Sequence, residues 1–219
     1  MLRDMRIFLF NGFLLLSFVV APVPDVSVDS SECAETMDQK PLSNTCCYIT
    51  ANSVLEARCS VLKSHKIPLH LNPDIRVLNI TWTQIRILSN NSLHPYKKLK
   101  FIYLRYNFFH IIKEAAFANQ PYLQVLDLRN NFCEILSKSL FQLPYLHTLY
   151  LGHNQLYDSV FKVNATSPLK ILQLSNNKLS VIPNIGLQPT LLNLDLFNNR
   201  IISISTENLA PFCSLKSSI

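Results

Sequence analysis

The sequence predicts an α/β solenoid, an arc with short parallel strands on its hollow face and irregular, 3-10 or helical returns on its outer face. Three observations predict it. The phrase L-x-x-L-x-L-x-x-N-x-L recurs every 22–24 residues, from Leu99, Leu123, Leu146, Leu169 and Leu191. A weaker copy precedes these, Ile75 to Ile85, with Thr83 where the others carry Asn. A second apolar anchor stands six residues before each new copy: Leu93, Phe117, Leu140, Val163, Ile185 and Leu209.

In chain order, the first element is a leader. Arg3 and Arg6 precede an apolar stretch from Ile7 to Val20, closed by Ala21. That is the pattern of a secretory signal, and it falls short of the roughly 20 apolar residues of a membrane span. An uncleaved anchor is the alternative, because Pro22 and Pro24 crowd the usual cleavage site.

Four cysteines follow, Cys33, Cys46, Cys47 and Cys59. After a secretory leader they read as two disulfides. Adjacent Cys46 and Cys47 are poorly placed to bond each other. Two pairings stay open: 33–46 with 47–59, or 33–47 with 46–59. A zinc site is the rival, without a C-x-x-C step to support it.

Each repeat then opens with a strand. In Leu123 to Leu128, period-two alternation turns Leu126 and Leu128 inward and Val125 and Asp127 outward. Neighbouring strands pair in parallel about 4.8 Å apart. The Asn of each phrase (Asn107, Asn131, Asn154, Asn177, Asn199) turns the chain and offers its amide to backbone groups that water cannot reach. Pro121, Pro144 and Pro168 stand just ahead of three strands, where a missing N–H costs little.

These residues resemble extracellular leucine-rich repeat proteins. Cys59-Ser-Val-Leu62, Ile67-Pro68 and Ile75 to Ile80 are similar to the end of that family's cysteine-rich N-terminal cap. Within the family, the nearest likeness is to Toll-like receptor ectodomains and related secreted immune or adhesion proteins. The resemblance implies a signal peptide over 1–24, a cap over 25–72, about six repeats over 73–214, and the start of a further repeat at 215–219. No cysteine-rich C-terminal cap follows Leu209, so the chain reads as a fragment or short form of a longer receptor. Its open end is a candidate surface for a homo- or heterodimer.

Two cysteines stand apart. Cys133 occupies an inward position and is expected as a buried free thiol. Cys213 lies three coils on, about 14 Å by strand spacing. A disulfide needs Cα atoms within about 7 Å, so the two are not expected to bond.

Function is read from the outward positions. On the hollow face, aromatic and arginine residues concentrate early: Trp82, Phe101, Tyr103, Arg105, Tyr106, Asp127, Arg129 and Tyr150. Tyr, Trp and Arg anchor protein interfaces. Cross-strand packing that merely stabilises the sheet is the other reading. The expected ligand is a protein or a microbial product, with innate-immune recognition ahead of cell adhesion. Asn79, Asn90 and Asn164 match the N-glycosylation pattern.

Other classes fare poorly. The 219 residues carry three glycines and a net charge of +6 without a basic run. No phosphate cradle, G-x-S-x-G elbow or H-E-x-x-H is present, so no enzyme, cofactor or metal is expected. Nucleic acid is disfavoured as a partner. His147 and His153 read as ordinary surface histidines, ahead of an endosomal pH sensor. The expected place is outside the cell, secreted or as a receptor ectodomain.

Overall fold

The computed structural model describes residues 46–60, 62, 64–186, 188–204, 206–212 and 214–215, together with two short strands near the start. These strands, β1 (Phe8–Phe10) and β2 (Phe13–Leu15), form an antiparallel pair. The rest of the expected leader, Cys33 and Cys213 lie outside the described residues.

β3 (Cys46–Ala51) and β4 (Val54–Ser60) make a hairpin. Its two turn residues, Asn52 and Ser53, take left-handed φ values of 48° and 62°. That is the primed-turn geometry whose twist suits paired strands. Cys46 and Cys59 face each other across the hairpin and are disulfide-bonded, with Cα atoms 4.1 Å apart. Cys47 is disulfide-bonded as well. The 46–59 bond removes the pairing of 33–46 with 47–59.

β4 runs parallel to β5 (Val77–Thr81), so the hairpin extends the solenoid sheet. There follow β7 (Phe101–Tyr103), β9 (Val125–Asp127), β10 (Thr148–Tyr150), β11 (Ile171–Gln173) and β12 (Asn193–Asp195), each parallel to the last. Register is kept throughout: Leu78, Ile102, Leu126, Leu149, Leu172 and Leu194 form one row. All six are buried, as is the row from Ile80 and Leu104 to Leu196. Each fully buried leucine contributes about 1.5–3 kcal/mol. A coil has no core of its own, so these rows form only when coils stack.

The asparagines join coil to coil. Asn131 Nδ2 donates to the carbonyls of Leu128 and Arg129 in its own coil and of Leu104 in the coil before, while its Oδ1 accepts from Phe109 N–H. Asn107, Asn154, Asn177 and Asn199 repeat this pattern. In the first coil Thr83 is buried and sends both its N–H and its hydroxyl to Asn107 Oδ1.

The returns contain little helix. They hold 3-10 turns at Lys138–Gln142, Asp158–Phe161 and Ala210–Phe212, and a four-residue helix, α1 (Thr206–Leu209). Leu93, Phe117, Leu140 and Ile185 are buried anchors as expected. Val163 is only half-buried, because the preceding 3-10 turn sends Phe161 into the core instead. A second small parallel sheet, unforeseen from sequence, joins β6 (Ile87–Leu88) to β8 (Ile111–Ile112), and Ile111 bridges on to Ile135. Among the described residues no helix is long and apolar enough to cross a membrane.

Candidate functional site

The centre of the hollow face is a charged knot. Asp127 points outward from β9, as alternation requires, yet it is buried. Arg129, two residues on, folds back over it, with Nη2 2.6 Å from Oδ2 and Nε 3.0 Å from Oδ1. Arg105, from the preceding coil, brings Nε to 3.6 Å of the same Oδ2. Two guanidiniums thus share one carboxylate, which leaves one positive charge in excess.

Tyr150 lies beneath this knot. Its ring is buried, with Arg129 Cζ 4.7 Å from the centroid. Burial raises the pKa of the Tyr150 phenol, and burial followed by the Asp127 charge raises that of Tyr103. Both stay protonated and able to donate. Burial works against the charged form of Arg129, but its hydrogen bonds and attraction to Asp127 outweigh that and raise its pKa.

Two expected contact residues are thus buried: Asp127 lies under Arg129 and Arg105, and Tyr150 under Arg129. A strand's outward position is exposed only where its neighbours are short, and on a hollow face long side chains from adjacent coils converge.

The exposed groups lie at the strand ends. Trp82 is 62% exposed and Tyr106 40%. Their rings stack with centroids 4.4 Å apart and planes 2° apart. Phe101, Tyr103, Arg105 and Arg129 are half-buried. Among the described residues, Asn79 Oδ1 and Gln173 Oε1 on the hollow face are buried without a hydrogen bond, and Arg105 Nε has only its longer ion pair with Asp127.

The rim has a backbone cause. Trp82, Tyr106, Asn130, His153, Asn176 and Asn198 hold one equivalent place, and all have left-handed φ between 51° and 56°. Asn and His tolerate this region, whereas a bulky residue there bears a cost of about 1–2 kcal/mol. Four coils use the tolerant types, and the last three link them, Asn176 Nδ2 to His153 Nε2 at 3.1 Å and Asn198 Nδ2 to Asn176 Oδ1 at 2.6 Å. The first two coils place aromatics there and expose them.

Sequence reasoning missed the continuation of this rim. Phe108 stacks on Phe132 at 5.7 Å and His110 on Phe132 at 5.5 Å, with both phenylalanines exposed. The signal was available: Phe108 and Phe132 both follow the turn asparagine, where later coils carry Gln155, Lys178 and Arg200.

The remaining expected residues sort simply. Asn90 and Asn164 are exposed on returns, while Asn79 is half-buried on β5. Cys133 is a buried free thiol, its pKa pushed up to about 12 by burial. His147 is half-buried beside Thr148, and burial followed by the charge of Lys170 lowers its pKa. Among the described residues no group of three metal-ligating side chains converges.

Comparison with known proteins agrees with this geometry. Leucine rich repeat family models match residues 97–156 and 168–188. Tsukushi of Gallus gallus is 30% identical over 160 residues, covering 69% of this chain and 43% of that protein. Lumican of Mus musculus is 33% identical over 150 residues, 63% of this chain and 43% of that protein. A solved structure, a TLR13–ssRNA13 complex, superposes with a TM-score of 0.64 at 26% identity, covering 74% of this chain and 24% of that one. The chain thus spans less than half the length of these relatives. Proteins of this kind bind or build rather than catalyse. With its repeats, ladder and disulfide-stapled hairpin, the chain belongs to the leucine-rich repeat proteins.

Proposed function

We propose that the chain is an extracellular recognition module that grips a protein partner through the early part of its hollow face and the adjoining aromatic rim. The observation that carries this is the exposed Trp82–Tyr106 stack, held on left-handed backbone where the later coils use Asn and His. Strained, exposed aromatics beside an arginine in excess are the features of an interface anchor. Arg105, half-buried beside Asp127, supplies guanidinium charge that an acidic group on the partner can pair with. The cystine hairpin suits work outside the cell. We favour immune recognition over adhesion, on the likeness to the TLR13 ectodomain fold.

The test is binding of the secreted chain to an array of purified extracellular domains. A specific binder should lose at least about tenfold in affinity with Trp82→Ala, Tyr106→Gly or Arg105→Gln. Tyr145→Ser, in the exposed Tyr122–Tyr145 stack that precedes the strands, should leave it unchanged. A binder indifferent to all three rim variants contradicts the reading. Single-stranded RNA is the second reading, favoured by the TLR13–ssRNA13 likeness and by a ring stack open to a base. An RNA oligonucleotide that binds with steep salt dependence and loses affinity in the same variants favours it.

A further inference from the structure

A second recessed surface lies on the outer side of the first coil, away from the hollow face. A cavity of about 640 Å³ opens between the cap segment at residues 65–69 and β6. Its walls are Ile67, Leu69 and Ile87, with His65, Lys66 and Arg86 around them and Ser89, Asn91 and Ser92 at one end. The cap touches the first coil here through His65 Nδ1, 3.1 Å from the Gln84 carbonyl.

Two properties of this cavity point to one kind of ligand. The first is an open strand edge. β6 pairs with β8 on one side only, and no strand among the described residues covers its other edge. None of the lining residues comes from β8, so the cavity lies along that open edge. An uncovered edge is a template for an added strand. The second is one-sided charge. Lys66 and Arg86 are exposed cations, and no acidic residue lines the cavity. Leu69 and Ile87, 58% and 47% exposed, form an apolar floor between them.

We propose that this cavity binds an extended, acidic peptide segment of a partner protein, which adds as a strand to the free edge of β6. Alternate side chains of an extended peptide point to opposite faces. Aliphatic side chains on one face cover Leu69 and Ile87, and carboxylates on the other meet Lys66 and Arg86. The backbone pairs with β6, and Ser89, Asn91 and Ser92 close the end. The site is independent of the hollow face, and it engages a short linear segment rather than a folded surface.

The probe is a fluorescent, end-blocked peptide of alternating Glu and Val, titrated against the full secreted chain and followed by anisotropy. Saturable binding that weakens with salt is expected. The double variant Lys66→Glu with Arg86→Glu should weaken it at least about tenfold through like-charge contact, with an unchanged melting temperature. Alternating Lys and Val should not bind. The acidic peptide N-methylated at alternate backbone nitrogens should lose affinity to a similar degree, because it cannot pair with an edge. Tyr106→Gly should leave peptide binding unaltered, which separates this site from the hollow-face reading. Absence of saturable binding overturns the proposal, as does equal binding by the double variant or by the N-methylated peptide. A heparin oligosaccharide that binds through Lys66 and Arg86 while the peptide does not would assign the cavity to sulfated glycans and equally overturn it.

Discussion

Asn131 Nδ2 donates to the Leu104 carbonyl, 27 residues earlier in the chain, at 2.9 Å. That bond and its equivalents fasten each coil to the last in a place water does not reach. Asn131→Leu keeps the volume and removes every bond. It strands the Phe109 N–H, at a cost of about 1–3 kcal/mol when buried, and takes one of two amide donors from the Leu104 and Leu128 carbonyls, which keep Asn107 and Asn154 Nδ2. A loss of about 2–3 kcal/mol in urea unfolding is expected. A loss below about 1 kcal/mol would mean that the ladder is ornamental.

Asp127 should matter for stability more than for contact. Asp127→Asn leaves Arg105 and Arg129 facing each other over a neutral amide. Removing one partner of a buried pair costs about 3–5 kcal/mol, and Arg129 is partly open to solvent, so a value near about 3 is expected. Adding Arg129→Gln to Asp127→Asn should recover part of the loss, and a double-mutant cycle measures the coupling.

Cys133 should be silent in the folded chain. Its thiol is buried and its pKa is pushed up to about 12, so at pH 8 the reactive thiolate is scarce and out of reach. Iodoacetamide should label it only after unfolding. Labelling of Cys133 in the native chain would show that the third coil opens.

Glu114 ties one return to the next. Its carboxylate accepts from Ser137 Oγ and from the N–H groups of Lys138 and Ser139, all at 3.1 Å. Burial acts to raise its pKa, but the hydrogen bonds from Ser139, Lys138 and Ser137 prevail and lower it. A folded-state pKa below the unfolded one gives stability that is full above the ordinary value of 4.5 and fades as pH falls through the lowered one. The stability difference between the natural chain and Glu114→Gln should therefore be constant at neutral pH and shrink in acid. A difference that grows in acid would contradict this sign.

Much of this fold is legible in the repeat phrase because the same spacing must satisfy the same geometry several times over. Leu126, Leu149 and Leu172 line up since a shift of one residue would expose all of them. The return arms are less legible. Phe161 displaces Val163 from the core because a 3-10 turn starts at Asp158, and neither choice breaks the spacing. The hairpin at Asn52-Ser53 carries no glycine to announce its turn. Within the site, Trp82, Tyr106 and Arg105 were identifiable by type and position. The cover over Asp127 and Tyr150 was not, because it depends on where Arg129 and Arg105 lay their side chains across neighbouring coils. The left-handed column could have been found from Asn130, His153, Asn176 and Asn198, residue types suited to that backbone, standing in line with Trp82 and Tyr106.

That column allows the most direct test, because there the demands of folding and of binding oppose each other. Glycine relieves the left-handed strain at Tyr106 while deleting the ring that stacks on Trp82, two terms of about 1 kcal/mol that nearly cancel. The measurement is melting temperature and affinity on the same Tyr106→Gly protein, against a partner selected from the extracellular array. A melting temperature within a few degrees of the natural chain, with affinity reduced at least about tenfold, is the result expected of an aromatic kept for contact. A clear fall in melting temperature with affinity unchanged would mean that the ring serves the fold alone, and the rim would cease to be a binding surface.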